Sequence, residues 1–197
     1  MEIRITESRR QSKTKYRKQL SDILLETALI GLTAGAGLWL VLEMLTESGQ
    51  MIPLLGSVLL TALICSVTER MEKCGIYIRC GMAAATAGGL FLLYRQILDG
   101  FALYWNTVAD TFGSRAGIYF TRFDTADIMA EDTARLVFLI YLGMAAAVIG
   151  FLILRFRIYV LVFLEIFVLP FMMVLTGKEP ESGVGVAFYM GIFLEIN

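Results

Sequence analysis

The sequence predicts an all-α fold: a polytopic transmembrane helix bundle of five to six spans with an amphipathic helix on its outer face. Three observations predict it. Hydrophobic residues fill 57% of the 197 positions, and mean hydropathy is +0.71. Charged residues supply 18% of the chain, against roughly 25% in an ordinary soluble domain. Apolar runs near the ~20 residues that a helix needs to cross a ~30 Å hydrocarbon core recur along the sequence.

Residues 1–22 form a basic tail carrying Arg4, Arg9, Arg10, Lys13, Lys15, Arg17 and Lys18 among Ser, Thr and Gln. Such a segment suits water beside anionic headgroups. A cleaved secretory signal would place its short apolar stretch closer to the start; here the apolar run that follows is long enough to span, so it reads as a retained anchor. Residues 23–94 hold three spans. The first is Ile23 to Leu45; the second, Ile52 to Val67, has Pro53 in its first turn, where the missing N–H costs least, and, being short, either extends into Thr68 and Glu69 or thins the bilayer locally. The third is Ile76 to Tyr94, with Arg79 close enough to one surface for its guanidinium to snorkel out. Residues 95–135 are the longest polar stretch. Residues 136–197 carry a fourth span, Leu136 to Leu154, a fifth, Ile158 to Thr176, and a sixth that begins at Gly183 and is still apolar at Asn197. About fifteen residues fall short of a crossing, so the sequence predicts a helix cut before its end.

Orientation follows from the positive residues on alternate sides. Twelve of the 17 lie in the tail and in the connections after the second and fourth spans. This bias predicts a multi-pass protein of the cell membrane with a cytoplasmic N-terminus and residues 95–135 outside.

Within that outer stretch, Ile97, Phe101, Trp105, Val108 and Phe112 recur at three- and four-residue steps. They form one apolar stripe of an amphipathic helix over 96–112, expected to lie on the outer leaflet or to cap the bundle. A lid that completes the fold outweighs a substrate gate as its role. Farther on, Thr125 is placed to cap the helix that leads into the fourth span, with Asp127 in its first turn. The acidic residues here lack the ligand spacing and turn glycine of a calcium loop.

Glu165 falls near the middle of the fifth span, where a carboxylate costs on the order of 2.5 to 3.5 kcal/mol on insertion scales. It is either a proton or cation relay, or a protonated side chain hydrogen-bonded to a neighbouring helix. Glu26 and Glu43, near the ends of the first span, are expected to reach water. Small residues (Gly31 and Gly35; Gly81, Ala85 and Gly88-Gly89; Gly143 and Ala147 or Ala146 and Gly150) mark faces where helix backbones approach, within the bundle or in a homo-oligomer or membrane partner.

No histidine occurs in the chain, which removes the commonest general base and zinc ligand. Cys65, Cys74 and Cys80 have no metal-site spacing and read as reduced. No catalytic constellation, cofactor or metal is predicted. The formal net charge of −1 offers no uniform field for nucleic acid. The lipid bilayer is the expected partner.

The basic tail, the tightly spaced apolar helices and the outer stretch running from Asp99 through Asn106 and Asp110 to Gly113 resemble the N-terminal membrane region of bacterial transglutaminase-like membrane proteins. Asn106, Asp110 and Gly113 match that family's loop residues in spacing. The resemblance implies a non-catalytic membrane anchor or scaffold carrying an extracytoplasmic transglutaminase-like domain beyond residue 197. The alternative expectation is a small transporter or channel subunit that uses Glu165 as its coupling residue.

Overall fold

A backbone surrounded by lipid has to satisfy its own hydrogen bonds, and this chain does so with helices. The computed structural model describes residues 19–45, 51–71, 74–117, 119–128, 130–157 and 182–196, with Phe167, Pro170, Phe171 and Val174 as single helical positions; no strand occurs among them. We label the helices α1 (residues 19–45), α2 (Met51–Glu69), α3 (Cys74–Ala116), α4 (Glu131–Phe156) and α5 (Ser182–Ile196). Four of these, α1 to α4, contain stretches long and apolar enough to cross a membrane. The fifteen residues of α5 are too few for a crossing at 1.5 Å per residue. The basic tail up to residue 18, Glu165 and most of the expected fifth span lie outside the described residues.

Helix α2 runs antiparallel to α1. At one end, here called proximal, Glu26 of α1 meets Arg70 just past α2; at the other, distal end, Leu42 and Met51 share a core cluster with Leu54, Tyr104 and Leu139. Helix α4 runs parallel to α2 and packs so closely that a Cβ on Gly143 would lie 2.9 Å from the Leu54 carbonyl oxygen. That approach explains the glycine: any side chain there would push two backbones apart. Gly31 and Gly35 of α1 face Leu59 and Leu55 of α2, while Gly150 of α4 faces Ile30 and Ala34. Small residues therefore mark the contacts of α1, α2 and α4. Helix α5 runs antiparallel to α1, with Val184 and Phe188 clustered with Ala36, Leu40 and Val41 and Gly191 against Leu32 and Thr33.

Residues Gly31–Gly35 of α1 form a π-helical turn. It lies where α1 crosses α2, α4 and α5, and Thr33 is buried within it, its hydroxyl donating to the Leu29 carbonyl at 3.0 Å. The wider turn lets Gly31 and Gly35 meet α2 while Leu32 and Thr33 meet α5. Such insertions are the usual local answer when one helix has to present side chains to several neighbours.

The third helix departs most from the sequence reading. No break separates the span ending near Tyr94 from the amphipathic stretch over 96–112; both belong to α3, 43 residues long, or about 65 Å at the α-helical rise. The change from apolar to polar at Tyr94-Arg95-Gln96 marks a change of surroundings, since Arg and Gln are strong helix formers. The helix stops only after Gly113-Ser114-Arg115-Ala116, where Gly117 adopts a left-handed φ of 66°. Helix α4 pairs antiparallel with α3, Tyr141 beside Gly89 and Ala134 beside Gly100. Its first residue, Glu131, is thus level with about residue 103 of α3, and the last thirteen or so residues of α3 extend about 20 Å past that level. Toward the proximal end α3 stands apart: no residue between 76 and 99 is buried, and nothing lies within 4 Å of where a Cβ would sit on Gly81 or Gly88. Their small-residue face has no partner among the described residues.

Thr125 does not cap α4. It sits five residues earlier, in a turn closed by Ile128 N–H to the Thr125 carbonyl at 3.2 Å, with the Asp124 carboxylate accepting from the Ala126 N–H at 3.1 Å. The residue before α4 is Ala130, which supplies no side-chain cap, and the first turn holds Glu131 and Asp132. Their negative charge favours the helix N-terminus, the role expected of Asp127.

Candidate functional site

The distal part of α3 projects past α4, and an isolated helix of this length is marginal in water. It is held by the chain that follows it. Residues 119–124 run back along α3 as a strap, antiparallel to the helix axis. The Asn106 side chain pairs twice with the Phe123 backbone: its amide donates to the Phe123 carbonyl and its oxygen accepts from the Phe123 N–H, both at 2.9 Å. The Trp105 indole N–H donates to the Thr121 carbonyl at 3.0 Å. Arg122 forms an ion pair with Asp110.

Beneath these bonds lies a continuous run of rings. Phe120 of the strap packs edge-on against both Phe112 and Trp105, with centroids 5.8 Å apart in each case. Phe101 meets Trp105, Phe123 of the strap and Phe138 of α4 at 6.1, 5.9 and 6.1 Å, and Tyr104 meets Phe138 at 5.4 Å. Each such contact contributes roughly 0.5–1.5 kcal/mol beyond area burial. Three members of the expected apolar stripe, Phe101, Trp105 and Phe112, thus turn toward the strap and α4. Ile97 and Val108 are half-buried, as is Gly113 at the distal tip. The stripe is partly covered by the protein's own aromatic residues, with Phe101, Phe120 and Phe123 still exposed.

Asn106 and Asp110 both act here as fasteners. The sequence singles them out, but their partners, sixteen and seventeen positions away in the case of the Trp105 and Asn106 bonds, were not legible from it. Gly100 was missed as well. A Cβ there would lie 2.6 Å from Phe138 Cβ and would also strike the Ala134 carbonyl, so this glycine sets the closest approach of α3 to α4.

The proximal end carries a second polar group. Arg70 donates from both terminal nitrogens to Glu26, at 2.8 and 2.7 Å, and also to the Ser66 carbonyl at 2.9 Å. Its hydrogen bonds to Glu26 raise its already high pKa, so it keeps its charge at any physiological pH. Arg155 of α4 pairs through Nε with Glu69 of α2 at 2.5 Å. Glu26 is therefore engaged by a neighbouring helix end. Glu43 near the distal end of α1 has one carboxylate oxygen buried and without a hydrogen-bond partner among the described residues, where the sequence reading expected contact with water. Arg79 is exposed, its Nε donating to the Gly75 carbonyl at 3.3 Å.

Among the described residues no group of three or more Cys, Asp or Glu side chains converges as a metal site would require. Comparison with family models, with curated proteins and with solved structures gave no match.

Proposed function

We propose that the chain is a non-catalytic membrane scaffold of the cell membrane, with its basic proximal end in the cytoplasm and the strapped distal arm of α3 outside. The observation that carries this reading is the arm itself. A helix that leaves the bundle without a break, stiffened by a strap of aromatic and polar contacts, transmits position from the bilayer to a point about 20 Å beyond it. On the resemblance carried by Asn106, Asp110 and Gly113, the cargo is an extracytoplasmic transglutaminase-like domain joined to the chain beyond residue 197 past a further crossing, because α5 runs toward the proximal end.

Immunoblotting of native membranes with an antibody against the α3 arm tests it. A product much larger than 21.9 kDa, trimmed by protease added to the outside of intact cells, is the expected result; a product of that mass untouched by external protease refutes the scaffold. The rival reading, a small transporter or channel subunit, requires solute flux in proteoliposomes that Glu165→Gln abolishes.

A further inference from the structure

At the proximal end, residues of α1, α2 and α4 line an open cavity of about 450 Å³. Its polar lining consists of Glu26, Glu69, Arg70, Arg155 and Arg157, three guanidinium groups against two carboxylates. Glu26 is neutralised by Arg70, whose terminal nitrogens are occupied. Glu69 pairs with Arg155 through Nε. The lining thus carries one positive charge in excess, with Arg157 outside the ion pairs of the described residues.

Two further features point to the class of ligand. Arg157 ends α4 in the left-handed conformation, with φ 51° and ψ 45°, a position helices usually give to glycine because other side chains are strained there. Strain retained at a cavity is a pointer to function. One turn farther into α4 the lining changes to Phe151 and Leu154, and the neighbouring Phe156 is 67% exposed, so an apolar surface adjoins the charged one. A ligand that matches has one negative charge, oxygen acceptors for two guanidiniums and an apolar continuation.

We propose that this cavity binds the phosphodiester headgroup of an anionic phospholipid, with Arg155 and Arg157 holding the phosphate and the acyl chains lying against α4. Basic pockets between helix ends at the cytoplasmic surface are suited to this chemistry. The inference rests on the chain's being embedded in a membrane and is independent of the cargo assigned to the distal arm.

The test uses the full chain, purified and delipidated in a neutral detergent, titrated with phosphatidylglycerol, phosphatidylcholine or inorganic phosphate, and followed by native mass spectrometry and thermal unfolding. Phosphatidylglycerol is expected to bind one to one and to raise the unfolding temperature, the other two to do so far less. Arg155→Gln and Arg157→Gly should each weaken phosphatidylglycerol binding about fivefold, as loss of one near-surface charge implies. Arg157→Gly should not lower the unfolding temperature of the lipid-free protein, because glycine relieves the left-handed cap. Equal binding of phosphatidylcholine, equal protection by free phosphate, or unchanged lipid affinity in both variants overturns the site. A chain that fractionates with membranes yet shows no headgroup preference refutes this inference and leaves the membrane assignment standing.

Discussion

Replacing Gly100 by alanine separates the two opposed effects of a glycine inside a helix. Alanine raises intrinsic helix propensity by about 1 kcal/mol, so a glycine without a packing role should be improved by it. At Gly100 the new methyl group would sit 2.6 Å from Phe138 Cβ and 3.0 Å from the Ala134 carbonyl carbon. Neither atom is the far end of a flexible side chain, so relief requires that α3 and α4 move apart along the contact that also holds Tyr104 and Phe138. Overpacking of this kind costs about 1–3 kcal/mol; because the obstruction is backbone and Cβ, we take the upper part of that range, which leaves a net loss of about 2 kcal/mol after the propensity gain. For a chain of this size that corresponds to a fall of roughly 4–8 °C in unfolding temperature. Gly81→Ala, in the same helix with nothing within 4 Å, is the control and should be neutral or slightly stabilising. Thermal unfolding of both variants in one detergent decides the matter. A Gly100→Ala protein as stable as the parent, or a Gly81→Ala protein that is the weaker of the two, would refute the assignment of Gly100 to the α3–α4 contact and of Gly81 to an open face.

Asn106→Ala removes both bonds to Phe123 and should cost about 1–3 kcal/mol, seen in hydrogen exchange as lost protection in the strap and in the distal turns of α3, with α4 unaffected; equal loss throughout the bundle would contradict a local fastening. Removing one partner of the Glu26–Arg70 pair, which is partly shielded from water with side-chain exposures of 36% and 21%, should reveal a coupling of about 1–2 kcal/mol in a double-mutant cycle of Glu26→Gln and Arg70→Met, and zero coupling would show the contact to be incidental. The exposed Cys74 and a cysteine introduced by Ser114→Cys lie at the two ends of α3. With Cys65 and Cys80 replaced by serine, a membrane-impermeant maleimide should reach residue 114 in intact cells and Cys74 only after permeabilisation; labelling of both from one side would remove the orientation on which the proposed function depends.

The membrane-length helices were legible because the bilayer imposes a length and a composition that few other environments require. That the second span was short was legible for the same reason, but sixteen apolar residues left open whether the helix lengthens or the bilayer thins; the helix runs on through Thr68 and Glu69. The continuity of α3 through Arg95 was not legible because polarity changes there while helix propensity does not; hydropathy reports the solvent around a helix, and only Gly113 to Gly117 reports its end. The apolar stripe of Phe101, Trp105 and Phe112 was found by its spacing. What covers it was not, since a stripe facing lipid and a stripe facing Phe120 and Phe123 have the same periodicity. Thr125 resembled an N-cap because Thr and Asp favour caps and turns through the same side-chain bonding to nearby backbone. Partners separated by 44 positions, such as Glu26 and Arg70, leave no local signal at all.

These features bear on why the distal arm can exist. Within the bundle, each turn of α3 is stabilised by the lack of any competing hydrogen-bond partner for its backbone. In the proposed placement the arm past the level of Glu131 stands in water, which competes for the same groups, so that a short helix loses more in conformational entropy than it gains. The strap meets this deficit where it arises. Its backbone groups at Thr121 and Phe123 bond to side chains of α3, and its rings at Phe120 and Phe123 take the apolar surface that water would otherwise wet. Anchoring is directional as well, since the strap leads into α4, whose Phe138 closes on Phe101 and Tyr104 at the base. The arm is thus tied at its side by the strap and at its root by the bundle, and a load applied at Gly113 is carried into α4 as well as along α3.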